Sequence, residues 1–379
     1  MAAPITLVAL LKNCAKEKDP SKGNKIHDDI VKRGLLEKNV YVGNALINMY
    51  AKCGLLEKAQ QVFNKLPAPD VVSWNTLIAG YAQQRHIKDA LCWFEIMQRE
   101  GILPNDVTFI CVLNACASIK GAHKGREIHA EIVRGQWLEK NSVIGNTLVD
   151  MYAKCGLLGK AHEVFNDLPV QNIVSWTTLI AGYVQNGHSD QALNCFDQMQ
   201  LKGLMPNAVT FACILKACGS VGAGEKGEEV HSQIMREGIS VKDIVVGNAL
   251  IEMYMKCECI EDARKVFDMM PNQDVVSWNL MLTAYTQSGQ DLTVLELFGT
   301  MQRGCMQPNE VTFLVMLKVC GNLGALAQLR LSHNQIVDSG LELELVLGNS
   351  LIDMYAKCGS IEDSHRMFDS LKDQDEVSW

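Results

Sequence analysis

The residue types best suited to catalysis do not form a complete catalytic motif in this sequence. His129-Ala130-Glu131 has the H-x-E spacing of zinc deaminases, in which the histidine binds zinc and the glutamate transfers protons. That chemistry also needs a C-x-x-C pair, and none occurs among the 14 cysteines, since Cys257 and Cys259 are too close together. No G-x-x-x-x-G-K-[ST] motif is present, and the scattered serines and histidines suggest no nucleophilic triad. The sequence therefore predicts no enzyme, no metal site and no cofactor.

Composition and charge narrow the class of protein. The chain has 379 residues, of which 48% are hydrophobic and 21% charged, and its net charge is -8. This is ample apolar material for a folded body, and no apolar run is long enough to predict a membrane span. The acidic balance argues against non-specific nucleic-acid binding, although a local basic stripe can outweigh it. The N-terminus lacks the character of a transit peptide, so we expect any targeting segment to lie outside this chain.

The chain is an array with a period of 101 or 102 residues. The five letters YAKCG begin at Tyr50, Tyr152 and Tyr355, and the variant YMKCE begins at Tyr254. Other residues keep the same steps, namely Cys14, Cys116, Cys218 and Cys320; Cys53, Cys155, Cys257 and Cys358; Trp74, Trp176, Trp278 and Trp379; and Pro104, Pro206 and Pro308. Because the cysteines lie in apolar helical patterns, we expect free buried thiols and not a disulfide framework.

Each period contains three segments that read as helical hairpins. In residues 40–70, two apolar stripes at helical spacing predict two short helices, the first from Val42, Leu46, Met49 and Tyr50 and the second from Leu56, Ala59, Val62 and Phe63. Gly54 can adopt the left-handed conformation that ends the first helix, and Pro67 stops the second. A hairpin this small must stack on its neighbours to bury both stripes. We therefore predict an all-α fold, a right-handed superhelical α-solenoid of stacked two-helix repeats.

Counting in this register gives eleven complete repeats. Their predicted boundaries are 4–39, 40–70, 71–105, 106–141, 142–172, 173–207, 208–243, 244–274, 275–309, 310–344 and 345–375. Residues 376–379 read as the start of a further, truncated repeat. Because a solenoid end without a cap exposes apolar surface, we expect the natural protein to continue past Trp379.

The repeats resemble the pentatricopeptide repeat family over positions 4–379. The resemblance rests on the 35-residue segments that begin VVSWNTLIAGY, IVSWTTLIAGY and VVSWNLMLTAY, each with PN near its end. The rotation of 36-, 31- and 35-residue segments is similar to the plant PLS subclass, with long (L), short (S) and standard (P) motifs. The segment 310–344 departs from this pattern because it is one residue shorter than the other long repeats. The resemblance implies binding of single-stranded RNA.

In that family the fifth and the last residue of a repeat read one base. Asn44, Asn48 and Lys52 share a helical face within roughly 80°, and an amide both donates and accepts hydrogen bonds, as a base edge requires. The resemblance assigns base reading to the pairs Asn44 and Asp70, Asn75 and Asn105, Asn146 and Asn172, Thr177 and Asn207, Asn248 and Asp274, Asn279 and Asn309, and Asn349 and Asp375. The long repeats have Val8, Ile110, Ala212 and Leu314 at the fifth position, and we expect them to read bases poorly.

The resemblance also assigns contacts to two other positions. Second-position residues would sandwich neighbouring bases, namely Tyr41, Val72, Val143, Val174, Val245, Val276 and Val346. The thirteenth residues of the short repeats, Lys52, Lys154, Lys256 and Lys357, would bind phosphates. Alternatively, these lysines only solvate a helix end and complement its dipole. With N for an unread base and Y for a pyrimidine, the implied target is 5′-N-U-Y-N-Y-A-N-U-Y-N-U.

The resemblance implies a role in organelle RNA editing, in a mitochondrion or a chloroplast. Relatives of the subclass often end in a DYW-type deaminase that converts cytidine to uridine, so any catalysis would lie outside this chain. Other editing-factor proteins are then candidate partners, and neither a membrane nor a small-molecule substrate is expected. The alternative is a tetratricopeptide-like scaffold that binds peptides on the same concave face. The seven polar pairs disfavour that alternative, whereas the acidic net charge favours it.

Overall fold

A computed structural model describes residues 4–238, 243–341 and 345–371 of the chain. Within these ranges every regular element is a helix and no strand occurs. The helices are α1 (Pro4–Glu17), α2 (Pro20–Lys32), α3 (Leu35–Lys38), α4 (Val40–Lys52), α5 (Leu56–Asn64), α6 (Val71–Gln83), α7 (Ile87–Arg99), α8 (Asp106–Ser118), α9 (Ala122–Arg134), α10 (Trp137–Lys140), α11 (Ser142–Lys154), α12 (Leu158–Asn166), α13 (Ile173–Gln185), α14 (Ser189–Leu201), α15 (Ala208–Val221), α16 (Gly224–Arg236), α17 (Ile244–Lys256), α18 (Ile260–Met269), α19 (Val275–Gln287), α20 (Asp291–Arg303), α21 (Glu310–Leu323), α22 (Leu326–Asp338), α23 (Leu345–Lys357) and α24 (Ile361–Ser370).

The helices form two compact regions, which are described separately. The first comprises residues up to His188 with Cys195–Leu204, and the second comprises Ser189–Asn194 with residues from Met205 onward. In each region the first helices of consecutive hairpins pack side by side, in the order α1, α4, α6, α8, α11 and α13 in the first and α15, α17, α19, α21 and α23 in the second. Each hairpin is closed by packing of its two helices, as in α4 with α5 or α17 with α18. First helices thus form one layer and second helices another.

The hairpin at residues 40–70 shows why the local sequence folds in this way. Its two apolar stripes are buried, and Gly54 separates the helices in the left-handed conformation, with φ 78°. Glycine adopts this conformation without the steric penalty that a Cβ atom imposes. In the third period the same turn carries Glu258, whose φ is 61°. That turn is therefore strained relative to its equivalents at Gly54, Gly156 and Gly359.

A histidine–tyrosine hydrogen bond recurs in the core of each period. The Nδ1 atom of the histidine lies 2.8 to 2.9 Å from the tyrosine hydroxyl in the pairs His27–Tyr50, His129–Tyr152, His231–Tyr254 and His333–Tyr355. Burial lowers the pKa of all four histidines. The tyrosine of each recurring five-letter stretch thus ties a short repeat to the long repeat before it. His129, the histidine of the H-x-E motif, belongs to this packing.

The cysteines are free thiols. Cys14, Cys116, Cys218 and Cys320 are buried inside first helices, whereas Cys53, Cys155, Cys257 and Cys358 follow a helix end and are half-buried. Burial raises the pKa of Cys116 to about 11, which keeps it protonated near neutral pH. No helix in the described part of the chain is long and apolar enough to cross a bilayer.

Candidate nucleic-acid interface

The last residue of a short or standard repeat is held in place because its side chain caps the first helix of the next repeat. Asp70 precedes α6, and its Oδ1 atom accepts a hydrogen bond from the backbone N–H of Ser73 at 2.8 Å. Asn105 caps α8 in the same way, with the backbone N–H of Thr108 as the donor at 3.0 Å. Asn and Asp are favoured here because a short side-chain oxygen reaches an N–H group that has no partner within the helix. Asn172, Asn207, Asp274 and Asn309 cap α13, α15, α19 and α21 likewise.

A hydrogen bond joins the two members of four predicted base-reading pairs. The amide nitrogen of the fifth residue donates to the side chain of the last residue in Asn75–Asn105 (2.9 Å), Asn279–Asn309 (2.9 Å), Asn248–Asp274 (3.2 Å) and Asn44–Asp70 (3.4 Å). Burial disfavours the charged form of Asp70, but hydrogen bonds from Ser73 and Asn44 outweigh it and lower the pKa of that carboxyl. The same balance lowers the pKa of Asp274. Both carboxylates therefore stay ionised and accept hydrogen bonds at neutral pH.

Fully buried hydroxyl groups fix the orientation of three of these amides. The hydroxyl donates to the amide oxygen in Thr108–Asn75 (2.6 Å), Thr312–Asn279 (2.7 Å) and Ser277–Asn248 (2.6 Å). These hydroxyl residues are 0% exposed. An asparagine amide has two acceptor lone pairs and two donor hydrogens. Because these contacts use one of each, one acceptor and one donor position remain on each amide for a ligand.

Sequence analysis missed these hydroxyls, although a signal exists. The strings VSW and VTF place Ser or Thr third in the standard repeats and in three of the long repeats. The short repeats instead have Val42, Ile144, Val246 and Leu347 at this position. Polar fifth residues therefore occur where the next repeat supplies a hydroxyl, and apolar fifth residues occur where it supplies an aliphatic group.

The other predicted pairs differ in their contacts. No hydrogen bond joins Asn146 to Asn172 in the described structure, and the buried Oδ1 atom of Asn146 has no partner. The hydroxyl of Thr177 donates to the backbone oxygen of Ile173 at 2.7 Å. Asn349 is half-buried in α23, and its predicted partner Asp375 lies outside the described residues.

The fifth-position side chains are less open than a polar helix face would be. Asn44, Asn75, Asn146, Thr177 and Asn279 are only 6% to 9% exposed. The sequence placed Asn44 on one open face with Asn48 and Lys52, but the capped N-terminus of the next first helix lies beside it. Only a small part of each of these side chains is therefore accessible.

Second-position side chains are exposed and apolar in every predicted repeat. The exposed fraction is 48% to 83% at Ile5, Tyr41, Val72, Val107, Val143, Val174, Val209, Val245, Val276, Val311 and Val346. Long repeats share this feature, which the sequence analysis assigned only to short and standard repeats. The fifth-position residues of the long repeats, Val8, Ile110, Ala212 and Leu314, are half-buried.

Three of the four predicted phosphate-binding lysines form ion pairs. Lys154 contacts Asp150 at 2.7 Å, Lys256 contacts Glu252 at 2.7 Å and Lys357 contacts Asp353 at 2.8 Å. Each carboxylate lies four residues earlier on the same helix, where such pairs meet. Lys52 has Asn48 at that position and forms no ion pair with a described residue. The positive charge of Lys154, Lys256 and Lys357 is thus neutralised locally.

No group of three or more His, Cys, Asp or Glu side chains in the described ranges is placed to hold a metal ion.

Solved structures with the same fold include that of the pentatricopeptide repeat protein PPR10 from maize. It matches with a TM-score of 0.80 at 18% identity, over 100% of this chain and 55% of PPR10. PPR10 in complex with an 18-nucleotide psaJ RNA element matches with a TM-score of 0.73 at 19% identity, over 88% of this chain and 50% of that one. The predicted all-α solenoid fold is confirmed.

Relatives and family models cover most of the chain. A chloroplastic pentatricopeptide repeat-containing protein of Arabidopsis thaliana is 33% identical over 98% of this chain and 60% of its own length. A mitochondrial one from the same plant is 34% identical over 97% of this chain and 53% of its own length. A third is 36% identical over 94% of this chain and 43% of its own length. The chain thus spans about half the length of these relatives.

The model of the PPR repeat family matches residues 69–118, 171–220 and 273–322, and the model of the PPR repeat matches 44–68, 146–173, 248–275 and 349–375. These matches identify the chain as an array of pentatricopeptide repeats. The chain belongs to the pentatricopeptide repeat family.

Proposed function

We propose that this chain binds single-stranded RNA and that each short or standard repeat reads one base. The observation that carries the proposal is the exposed apolar side chain at the second position of all eleven predicted repeats. The RNA complex of PPR10, which shares the fold, supports it.

An exposed aliphatic side chain is common on protein surfaces, but its recurrence at one position of every repeat is not. An apolar surface in contact with water is unfavourable unless a ligand covers it. Bases present flat apolar faces, and stacking on protein side chains is a sequence-tolerant source of affinity for single strands. Tyr41, which is 79% exposed, adds an aromatic ring to the series. These side chains would hold consecutive bases, and the fifth-position groups next to them would distinguish those bases.

Base discrimination would come from the hydrogen-bonded pairs. In Asn75–Asn105 and Asn279–Asn309, the buried hydroxyl and the last residue hold the amide in one orientation. A fixed amide favours one pattern of donors and acceptors on a base edge, because turning it would break both internal bonds. The proposed target is the sequence implied above, with unread bases at the long repeats.

We further propose that the chain belongs to the PLS subclass, with the repeat boundaries predicted above, and contributes RNA recognition to an organelle editing factor. The rotation of three repeat lengths supports the subclass. The chloroplastic and mitochondrial designations of the relatives support an organelle location. Other editing-factor proteins are its proposed partners.

The proposal is tested by titrating the protein into a labelled RNA of the proposed sequence and into a scrambled RNA of the same composition, each at two salt concentrations. We expect the proposed sequence to bind at least about tenfold more tightly, since each well-formed contact discriminates by ~1–3 kcal/mol. Equal affinity for both RNAs would refute base reading. Binding to neither would favour the tetratricopeptide-like scaffold.

A matched pair of variants locates the binding face. Val143 at the second position of α11 and Val133 in the second helix α9 are both 52% exposed. Val143→Asp should weaken binding because it places a negative charge beside the proposed bases. Val133→Asp changes the charge equally but lies in the other helix layer, and it should leave the affinity unchanged.

A further inference from the structure

The long repeats have no base-reading side chain, but three of them carry an exposed lysine on the first helix. Lys12, Lys216 and Lys318 occupy the ninth position of α1, α15 and α21. The second long repeat has the exposed residue Asn114 at the same position of α8. The ninth residues of the short repeats are Asn48, Asp150, Glu252 and Asp353, and those of the standard repeats are Ala79, Ala181 and Thr283.

The ninth position lies on the face that carries the exposed apolar residues. At ~100° per residue, it is rotated by only about 20° from the second position and about 40° from the fifth. Lys216 therefore shares a helix face with Val209, which is 56% exposed. Lys318 shares one with Val311, which is 49% exposed. A strand whose bases contact the second-position side chains would pass close to both lysines.

These lysines differ in their charge environment from three of the four predicted phosphate-binding lysines, namely Lys154, Lys256 and Lys357. Lys12, Lys216 and Lys318 form no ion pair with any residue in the described ranges. In α11 and α17 the ninth residue is a carboxylate, which neutralises the lysine one turn later at 2.7 Å. An incoming phosphate would compete with that carboxylate, whereas a long-repeat lysine has its full charge available. Apart from Lys52, the first-helix lysines of this face that have no ion pair in the described ranges therefore lie in the long repeats.

We propose that Lys12, Lys216 and Lys318 bind phosphate groups of the RNA backbone. Long repeats then contribute sequence-independent affinity at the positions where they do not read a base. This inference rests on the proposed function, and it identifies phosphodiester groups as the ligand of these lysines. It also accounts for an RNA-binding face on a chain whose net charge is -8.

The test measures the salt dependence of affinity for the proposed RNA and its scrambled counterpart. Lys216→Gln and Lys318→Gln should each reduce the slope of log K against log salt by about 0.7, the value for one phosphate contact on a single strand. If a variant and the unmodified protein bind equally at 1 M salt, this difference in slope makes the variant bind roughly fivefold more weakly at 0.1 M salt. The loss should be the same for both RNAs, because a phosphate contact carries no sequence information.

Two further variants complete the test, one that adds a lysine to the proposed binding face and one that serves as a control. Asn114→Lys should steepen the slope by about 0.7 and tighten binding, since it supplies the lysine that the second long repeat lacks. Lys88→Gln removes an exposed lysine from the second helix α7, and it should change neither slope nor affinity.

The outcomes separate this inference from the proposed function. If the unmodified protein binds neither RNA, the proposed function fails. If it binds with sequence preference but Lys216→Gln and Lys318→Gln leave the slope unchanged, only the lysine inference fails. If Lys88→Gln has the same effect as the long-repeat variants, the effect is one of total charge and the inference is overturned.

Discussion

Replacing Asn146 by threonine should change which base the chain prefers at one position. Asn146 is 9% exposed, its Oδ1 atom has no partner, and no hydrogen bond joins it to Asn172. Thr177 occupies the equivalent position of the next repeat, with the same 9% exposure and a hydroxyl bonded to the backbone of its own helix. Asn146→Thr therefore breaks no hydrogen bond of the described structure, and we expect its effect on stability to be within ~0.5 kcal/mol.

The expected change in base preference follows from the hydrogen bonds to the base that the substitution exchanges. By the family code, the fifth base of the target is a pyrimidine and the sixth is an adenine. One well-formed pair of hydrogen bonds to a base discriminates by ~1–3 kcal/mol, or roughly 5- to 150-fold. Asn146→Thr should shift the preference at the fifth base to adenine by a factor in that range. Asn75→Thr would be a poorer test, because it removes the amide that accepts from the buried Thr108 hydroxyl at 2.6 Å and donates to Asn105 at 2.9 Å, at a cost of ~1–3 kcal/mol.

The assay compares four RNAs that differ only at the fifth base, at one salt concentration. The reciprocal variant Thr177→Asn should shift the preference at the sixth base from adenine to a pyrimidine. An unchanged preference at the fifth base, in a protein with unaltered helix content and melting temperature, would remove Asn146 from the site. A shift at the fourth or sixth base with Asn146→Thr would instead refute the assignment of repeats to bases.

Three predictions concern stability. Glu258→Gly should stabilise the chain by about 1 kcal/mol, because Glu258 has φ 61° and the left-handed conformation costs a non-glycine residue ~1–2 kcal/mol. Gly156→Glu should destabilise the chain by a similar amount. Equal midpoints of urea unfolding in the variants and the unmodified protein would contradict this. Thr108→Val should destabilise the chain by ~2 kcal/mol, since the buried hydroxyl of Thr108 bonds two asparagines. In the same urea titration Thr76→Val should stay within ~0.5 kcal/mol, because Thr76 is only half-buried and its hydroxyl bonds the backbone of its own helix. Burial lowers the pKa of His129, so below about pH 6.5 the unfolded chain takes up a proton that the folded chain does not. The stability that this residue contributes should therefore be full above that pH and fall below it. His129→Gln should flatten the curve of melting temperature against pH between pH 5 and 8.

The period and the hairpins were predictable because local sequence determines them. Apolar residues at helical spacing mark each helix, and Gly54 supplies the turn whatever the neighbouring repeat contains. The capping role of Asp70 and Asn105 was also readable in principle, since Ser73 and Thr108 follow them at the spacing of a capping box.

The burial of the fifth-position side chains and the ion pairs of the short-repeat lysines were harder to predict. The low exposure of Asn75 depends on the capped helix of the next repeat, and hydrophobic periodicity within one helix contains no information about that neighbour. The ion pair of Lys154 with Asp150 has a recognisable four-residue spacing, but the family pattern drew attention to the lysine alone. The sequence pattern therefore predicted the helix that carries both residues but not the ion pair between them.

The most direct test of one-repeat-one-base recognition is a single-base scan of the proposed eleven-base RNA. Each base is replaced in turn by its three alternatives, and the affinity of each RNA is measured at one salt concentration. We expect losses of affinity at the seven bases that face short and standard repeats and near-constant affinity at the four that face long repeats. Losses spread evenly over all eleven bases, or confined to the long-repeat positions, would contradict one-repeat-one-base recognition.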